Sequence, residues 1–194
     1  MRKQTKIAAV VSAAALLALG ASMTSFAASK GTWMMVDGEW YCYDKNGDAY
    51  TNVFCSSNGK EYYVGDGNYY FVNSAGAKIT NDWRLTTPYD DESADEEWYY
   101  FKSNGKRAEN EKITYKGKSY YFDTDGKMLT GWVNTGDGTS AVNEANGYEA
   151  GHTFYCDETG ARVEGAWVKD VAPGVSDDDA DADEYWYYLK KATG

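Results

Sequence analysis

The chain is poor in the residues that most catalytic and metal centres require. Its one histidine, His152, sits in a Gly-rich stretch, so a Ser-His-Asp triad would depend on a single loop residue. Cys42, Cys55 and Cys156 form no CxxC pair, which removes the common thiolate metal motif and leaves an odd count. The spacing suits either a Cys42–Cys55 bridge between neighbouring hairpins or isolated buried thiols. Positive charge is also short: 19 Lys and Arg stand against 30 Asp and Glu, a net charge of −11. That balance excludes an ordinary nucleic-acid partner and unaided adhesion to anionic lipid, and suits a cationic or neutral ligand. Leu and Ile are sparse, so one aliphatic core is not expected. Only two prolines occur, against 20 glycines, as many short hairpins require.

The N-terminus has the charge and hydropathy pattern of an export signal. Arg2, Lys3 and Lys6 precede an apolar run from Ile7 to Leu19, and Ser25-Phe26-Ala27 supplies the small residues of a cleavage site. The apolar core is about 13 residues, whereas a bilayer span needs roughly 20. The expectation is a signal peptide over 1–27 and a product over 28–194 that is secreted and held at a cell wall or surface, with no membrane insertion after cleavage. Losing the three N-terminal cations takes the net charge from −11 to −14.

What the chain has in abundance is aromatic residues, and they recur. Trp98-Tyr99-Tyr100-Phe101-Lys102-Ser103-Asn104-Gly105 reads as a half-buried strand followed by a tight reversal. Versions return at Trp40-Tyr41-Cys42-Tyr43, Tyr69-Tyr70-Phe71, Tyr120-Tyr121-Phe122, Phe154-Tyr155-Cys156 and Trp186-Tyr187-Tyr188-Leu189. Such self-similarity outranks other clues to the fold. A lone hairpin is marginal in water, so each unit must bury its aromatic face on its neighbours, and the predicted fold class is an all-β solenoid of stacked β-hairpin repeats. Strand alternation predicts Tyr99 and Phe101 inside the stack, with Trp98 and Tyr100 facing the other way.

About six units follow one another. In the first, Trp33 and Trp40 flank a turn at Asp37-Gly38. The second, about Thr51 to Asn81, lacks a first-strand Trp and carries an extra tyrosine strand, Glu61-Tyr62-Tyr63-Val64. The third pairs Trp83 with Trp98 across an acidic insertion. The fourth is short, with Tyr115, Lys116-Gly117 and Tyr120. The fifth opens at Trp132 and closes after a Gly/Asn-rich insertion. The sixth runs from Trp167 to Trp186 across the acidic stretch Asp177 to Glu184, and ends at Gly194 after an incomplete turn, which leaves room for a longer modular protein.

The stretch Lys118-Ser119-Tyr120-Tyr121-Phe122-Asp123-Thr124-Asp125-Gly126-Lys127-Met128-Leu129-Thr130-Gly131-Trp132-Val133 resembles the choline-binding or cell-wall-binding repeats of Gram-positive surface proteins. The resemblance covers the chain from about Gly31 onwards. It implies a superhelix of hairpins whose ligand sits in aromatic cages, two rings from one hairpin and one from the next. Carried over by motif position, the ligand-binding residues are Trp33 and Trp40, Trp83 and Trp98, Trp132, and Trp167 and Trp186, with third walls such as Tyr69 or Tyr120. Asn68, Ser119 and Thr153 stand in place of second-strand tryptophans, and Lys112 in place of the fourth unit's first, so those junctions are expected to lack a full cage. The implied partner is a choline-substituted cell-wall polymer or another polysaccharide; no cofactor, metal site or catalytic residue is implied.

Physical chemistry supports such a cage. A quaternary ammonium over an aromatic face gains about 0.5–2 kcal/mol per ring, so three rings give millimolar affinity, and several weak sites on one polymer multiply it. Sugars also stack on indoles, so aromatics alone do not choose between choline and glycan. Two other classes compete: the targeting part of a larger wall hydrolase or toxin-like protein, and a calcium-dependent adhesin using the acidic stretches at Asp90 to Glu97 and Asp177 to Glu184. Neither stretch has the spaced Asp/Asn pattern and central Gly of a calcium loop.

Overall fold

The computed structural model describes residues 32–44, 46–56, 68–89, 91, 93–134, 153–175 and 182–191. The expected signal segment, the tyrosine strand at 61–64, His152 and Asp177 to Asp181 lie outside the described residues. Among the described residues no helix is long and apolar enough to cross a membrane.

Among the described residues twelve strands form six two-stranded sheets, each pairing consecutive strands. They are β1 Thr32–Val36 with β2 Glu39–Tyr43, β3 Val53–Ser56 with β4 Tyr69–Val72, β5 Asp82–Thr86 with β6 Glu97–Phe101, β7 Glu111–Tyr115 with β8 Lys118–Phe122, β9 Gly131–Asn134 with β10 Thr153–Cys156, and β11 Ala166–Asp170 with β12 Tyr185–Leu189. All five registers that are defined residue by residue are antiparallel, with Trp33 opposite Cys42, Phe54 opposite Phe71, Lys112 opposite Tyr121, Trp132 opposite Tyr155 and Trp167 opposite Tyr188. The all-β hairpin-repeat fold read from the aromatic strands is therefore the observed one.

Local chemistry explains each reversal. Asp37-Gly38 and Lys116-Gly117 have φ values of 51° and 87°, and 48° and 78°, the paired left-handed residues of a type I′ hairpin turn. The second strands of the first five hairpins end in a wider turn closed by glycine, whose N–H donates to the carbonyl of Asp44, Asn73, Lys102, Asp123 or Asp157 at 2.7–3.2 Å. In most copies the side chain at that first position also accepts backbone N–H groups, as Asp123 Oδ1 does from Asp125 and Lys127. A feature not anticipated from sequence is the left-handed residue two positions before the first-strand aromatic position. Asn52, Asn81 and Asn110 hold it at φ values of 52°, 49° and 48°, and Gly165 at 66°. Their N–H groups return to the end of their own hairpin, at Asn73, Lys102, Asp123 and Leu189. Asn tolerates this conformation better than other non-glycine residues, so the second, third, fourth and sixth copies are entered by the same sharp bend, while in the fifth the left-handed residue is Gly131, directly before Trp132, at 67°.

The chain divides into two compact units. The first takes in residues to Arg84 with Tyr89–Glu92 and Phe101–Arg107; the second takes in Leu85–Pro88, Ser93–Tyr100 and Ala108–Gly194. Within the first unit, Phe54 packs between Phe71 and Phe101 with ring centroids 5.4 and 5.9 Å away, and Trp33 meets the edge of Tyr70 at 5.6 Å. Cys42, Cys55, Tyr70 and Val72 form a buried cluster beneath Trp33. Within the second unit, Tyr121 and Phe154 stack at 4.3 Å, Tyr100 meets Tyr115 at 5.9 Å, and Trp132 meets Tyr187 at 4.8 Å. Stacking of hairpin on hairpin is thus done by rings, as the scarcity of Leu and Ile demands.

Simple alternation along the second strand is corrected in one respect. Tyr99 and Phe101 are buried and Trp98 is exposed as expected, but Tyr100 is buried too. The same three-in-a-row burial occurs at Tyr70, Phe71 and Val72. Both faces of these strands are covered, one inside the stack and the other by rings such as Tyr115 over Tyr100, so period-two patterning no longer separates inside from outside. The three cysteines are free and buried, so the isolated-thiol alternative is the one observed.

Candidate functional site

Four positions recur along the repeats, the fourth in the first five copies, and together define the candidate site. The first-strand position is held by Trp33, Phe54, Trp83, Lys112, Trp132 and Trp167. The second-strand position, seven residues before the turn glycine wherever that glycine is present, is held by Trp40, Tyr69, Trp98, Ser119 and Thr153, with Trp186 its counterpart in the sixth hairpin. The residue after it (Tyr70, Tyr99, Tyr120, Phe154, Tyr187) projects from the following hairpin. A fourth position, two residues past the turn glycine, is held by Ala49, Lys78, Arg107, Met128 and Arg162. Each of these bridges back to the last residue of its own second strand, in the pairs Tyr43–Ala49, Val72–Lys78, Phe101–Arg107, Phe122–Met128 and Cys156–Arg162. From Lys78 onwards the same residue also reaches the preceding hairpin. The N–H of Lys78 donates to Trp40 at 2.7 Å, Arg107 to Tyr69 at 2.7 Å, Met128 to Trp98 at 2.8 Å and Arg162 to Ser119 at 2.9 Å.

This ladder corrects the alignment in the second repeat. Tyr69, not Asn68, stands where Trp40 and Trp98 stand, and Phe54 takes the first-strand position. Tyr70 rather than Tyr69 is consequently the third wall of the first junction. The aromatic run Tyr69-Tyr70-Phe71 by itself does not fix its register against Trp40-Tyr41 and Trp98-Tyr99; counting back from Gly76 does.

At the first junction Trp33, Trp40 and Tyr70 surround one point. The Lys78 ammonium occupies that point, 5.8, 5.6 and 5.5 Å from the three ring centroids. These are cation–π distances. The ammonium also donates to the Asn104 carbonyl at 3.3 Å. Trp33 is half-buried and Trp40 is 39% exposed, so the cage opens to solvent on the Trp40 side.

The equivalent residues of the second hairpin, Phe54 and Tyr69, hold a guanidinium. Arg107 lies 5.6 Å from the Phe54 ring and 4.2 Å from Tyr69, and is the one buried charged residue of the described core. In the second unit Arg162 lies 4.9 Å from the Phe154 ring, donates to the Tyr121 hydroxyl at 3.0 Å and pairs with Glu164 at 3.1 Å. Burial raises the Tyr121 hydroxyl above its ordinary pKa, with Arg162 partly opposing the shift. Lys112 and Ser119 supply no aromatic wall there, as the sequence implied.

The remaining sequence-named residues are more scattered. Trp83 is half-buried on β5 in the first unit, its N–H donating to Asp82 at 2.9 Å. Trp98, 43% exposed, and half-buried Tyr120 lie in the second unit with Met128 at the fourth position. Trp132 has both sides taken, by Tyr155 at 5.2 Å and Tyr187 at 4.8 Å, and its indole N–H donates to Val171 at 2.9 Å. Trp167 and Trp186 on the sixth hairpin are 63% and 64% exposed, and with Tyr188 make an open aromatic surface. Among the described residues no group of three or more His, Cys, Asp or Glu is placed to hold a metal ion.

The structure is of the stacked-hairpin class, and part of the chain resembles a known repeat. Residues 93–106 and 113–128 match the sequence model of the cell wall binding repeat, named for choline binding. A Streptococcus pneumoniae protein named as an endo-beta-N-acetylglucosaminidase is 29% identical over 122 residues, covering 62% of this chain and 13% of that protein. The glucosyltransferase-S of Streptococcus mutans is 29% identical over 154 residues, covering 67% of this chain and 10% of that protein. The chain therefore spans a small fraction of these relatives. Among solved structures, choline binding protein F of Streptococcus pneumoniae is 24% identical, with a TM-score of 0.49 over 84% of this chain and 43% of that one.

Proposed function

We propose that the chain is a secreted, non-catalytic binding module that attaches to choline-bearing cell-wall polymer through aromatic cages between hairpins. The observation that carries this reading is the first junction, where three rings gather round a cationic nitrogen at cation–π distance. A cage that accommodates an ammonium presents the negative ring faces that a trimethylammonium group requires. The acidic balance of the chain adds long-range attraction for such a cation. One cage gives millimolar affinity, so attachment to a wall rests on several engaging one polymer.

The names of the two relatives, both enzymes, support a wider version in which modules of this kind target a larger wall hydrolase or a glucan-forming enzyme. A second reading is favoured by the sixth hairpin, where Trp167, Trp186 and Tyr188 are exposed enough for an uncharged sugar to stack on one of their rings. Retention of the full chain on a quaternary-amine resin, with elution by free choline, tests the first reading. Retention on insoluble glucan that choline does not reverse would replace it with the second.

A further inference from the structure

The fourth repeat position decides whether a cage is available to a ligand. We infer that Lys78 is a resident cation that fills the Trp33–Trp40–Tyr70 cage from within, and that an external quaternary ammonium enters this cage only by displacing it. The inference rests on the proposed function for the nature of the external ligand, but the occupancy of the cage is a property of the chain itself.

Three observations lead to it. The Lys78 ammonium stands within 5.8 Å of all three ring centroids, so no other cation can share the faces without moving it. The side chain is held at both ends: its backbone N–H donates to Trp40, and its ammonium donates to the Asn104 carbonyl. Its methylenes lie over Gly105, where an added Cβ would come within 2.9 Å of Lys78 Cδ and Cε, so the stem is packed and the position is not a loose surface lysine. The same substitution recurs where the register repeats. Arg107 lies on Phe54 and Tyr69, and Arg162 on Phe154, whereas the copy that carries Trp98 has the neutral thioether of Met128.

The repeats thus use one position in two ways. A cation there satisfies the rings internally and ties successive hairpins together. A methionine there leaves the ring faces without an internal charge. Lys78 is consequently a specificity-determining residue, and a lysine is the weaker of the two cationic occupants because its ammonium is strongly hydrated and gives up its position at modest cost.

The test compares the full wild-type chain with Lys78→Met and with the Lys78→Met, Trp40→Ala double variant, using choline chloride as probe and tryptophan fluorescence with calorimetric stoichiometry as readouts. The expected result is one additional site in Lys78→Met, or at least a tenfold tighter one, that disappears in the double variant. Equal stoichiometry and affinity in wild type and Lys78→Met would overturn the inference. So would a folded Lys78→Met chain that binds no choline at Trp40. Failure of the function itself is seen separately, as a wild-type chain that neither the amine resin nor choline engages. Should Lys78→Met not fold, amine labelling of the wild-type chain decides: Lys78 should react several-fold more slowly than exposed Lys190, and should gain reactivity in Trp40→Ala. Labelling of Lys78 as fast as Lys190 would show that the cage does not hold it.

Discussion

The backbone N–H of Lys78 donates to the carbonyl of Trp40 at 2.7 Å, and the side chain of the same lysine returns its ammonium to 5.6 Å from the Trp40 ring. One residue of the second repeat therefore binds the first hairpin twice, once through the main chain and once through a cation–π contact. The main-chain contact recurs at Arg107, Met128 and Arg162 whatever the side chain, so it builds the stack. The side-chain contact varies, and it sets what each junction can do.

Removing the guanidinium at the second junction should measure how much of the stability is cation–π. Arg107→Met keeps the stem and the backbone bond to Tyr69 but loses the charge over two rings. A loss of about 0.5–2 kcal/mol is expected from urea unfolding. An unchanged midpoint would mean that the rings pack equally well without the cation.

Two turn glycines with nearly the same φ should respond differently to alanine. Gly117, at +78°, has no atom within 4 Å of an added Cβ, so Gly117→Ala should cost only the left-handed strain of about 1–2 kcal/mol. Gly160, at +79°, lies beneath Met128, whose Cγ, Sδ and Cε an added Cβ would strike. Gly160→Ala should cost more than Gly117→Ala in thermal melts. Equal costs would show that Met128 moves aside freely.

Alkaline pH should weaken the fold before it exposes the thiols. Burial pushes the Cys156 thiol up to about 12 from an ordinary 9.0, and Cys55 is pushed well up, first by its hydrogen bond with Cys42 and then by burial. A folded state with raised thiol values keeps its full advantage below 9.0 and loses it as pH rises toward about 12. Iodoacetamide at pH 8.5 should leave all three thiols unmodified in the native chain and label them in urea. Rapid native labelling of Cys156 would contradict its burial.

Ligand binding should depend on rings more than on the acidic stretches. Trp98→Ala should weaken choline binding at its own site by about 1–3 kcal/mol, while whole-chain attachment to walls falls less because other sites remain. Changing Asp178, Asp179 and Asp181 to Asn should alter mainly the salt dependence of attachment. Loss of wall binding in the aspartate variant with retention in Trp98→Ala would transfer the site to the acidic stretch.

Truncation before Gly165 should leave the earlier hairpins folded. In a stack each repeat depends chiefly on its neighbours, so the fragment should keep its protease-resistant bands. Complete digestion would indicate a single cooperative core.

The local structure was determined by the sequence itself. Asp37-Gly38 and Lys116-Gly117 specify hairpin turns because few other pairs adopt two positive φ values, and the run Trp98-Tyr99-Tyr100-Phe101 can bury its rings only against another copy of itself. What tertiary structure alone decided was register between repeats and the occupant of each cage. The choice between Asn68 and Tyr69 can be made by counting seven residues back from Gly76, but that Tyr69 meets the next hairpin, through the bond from the Arg107 N–H to its carbonyl, appears only in the fold. Lys78 reads in sequence as an ordinary solvated lysine after a turn. Only when hairpins stack does its ammonium meet rings from two of them, because Trp33 and Trp40 lie far upstream and a cation–π contact is a matter of distance in space.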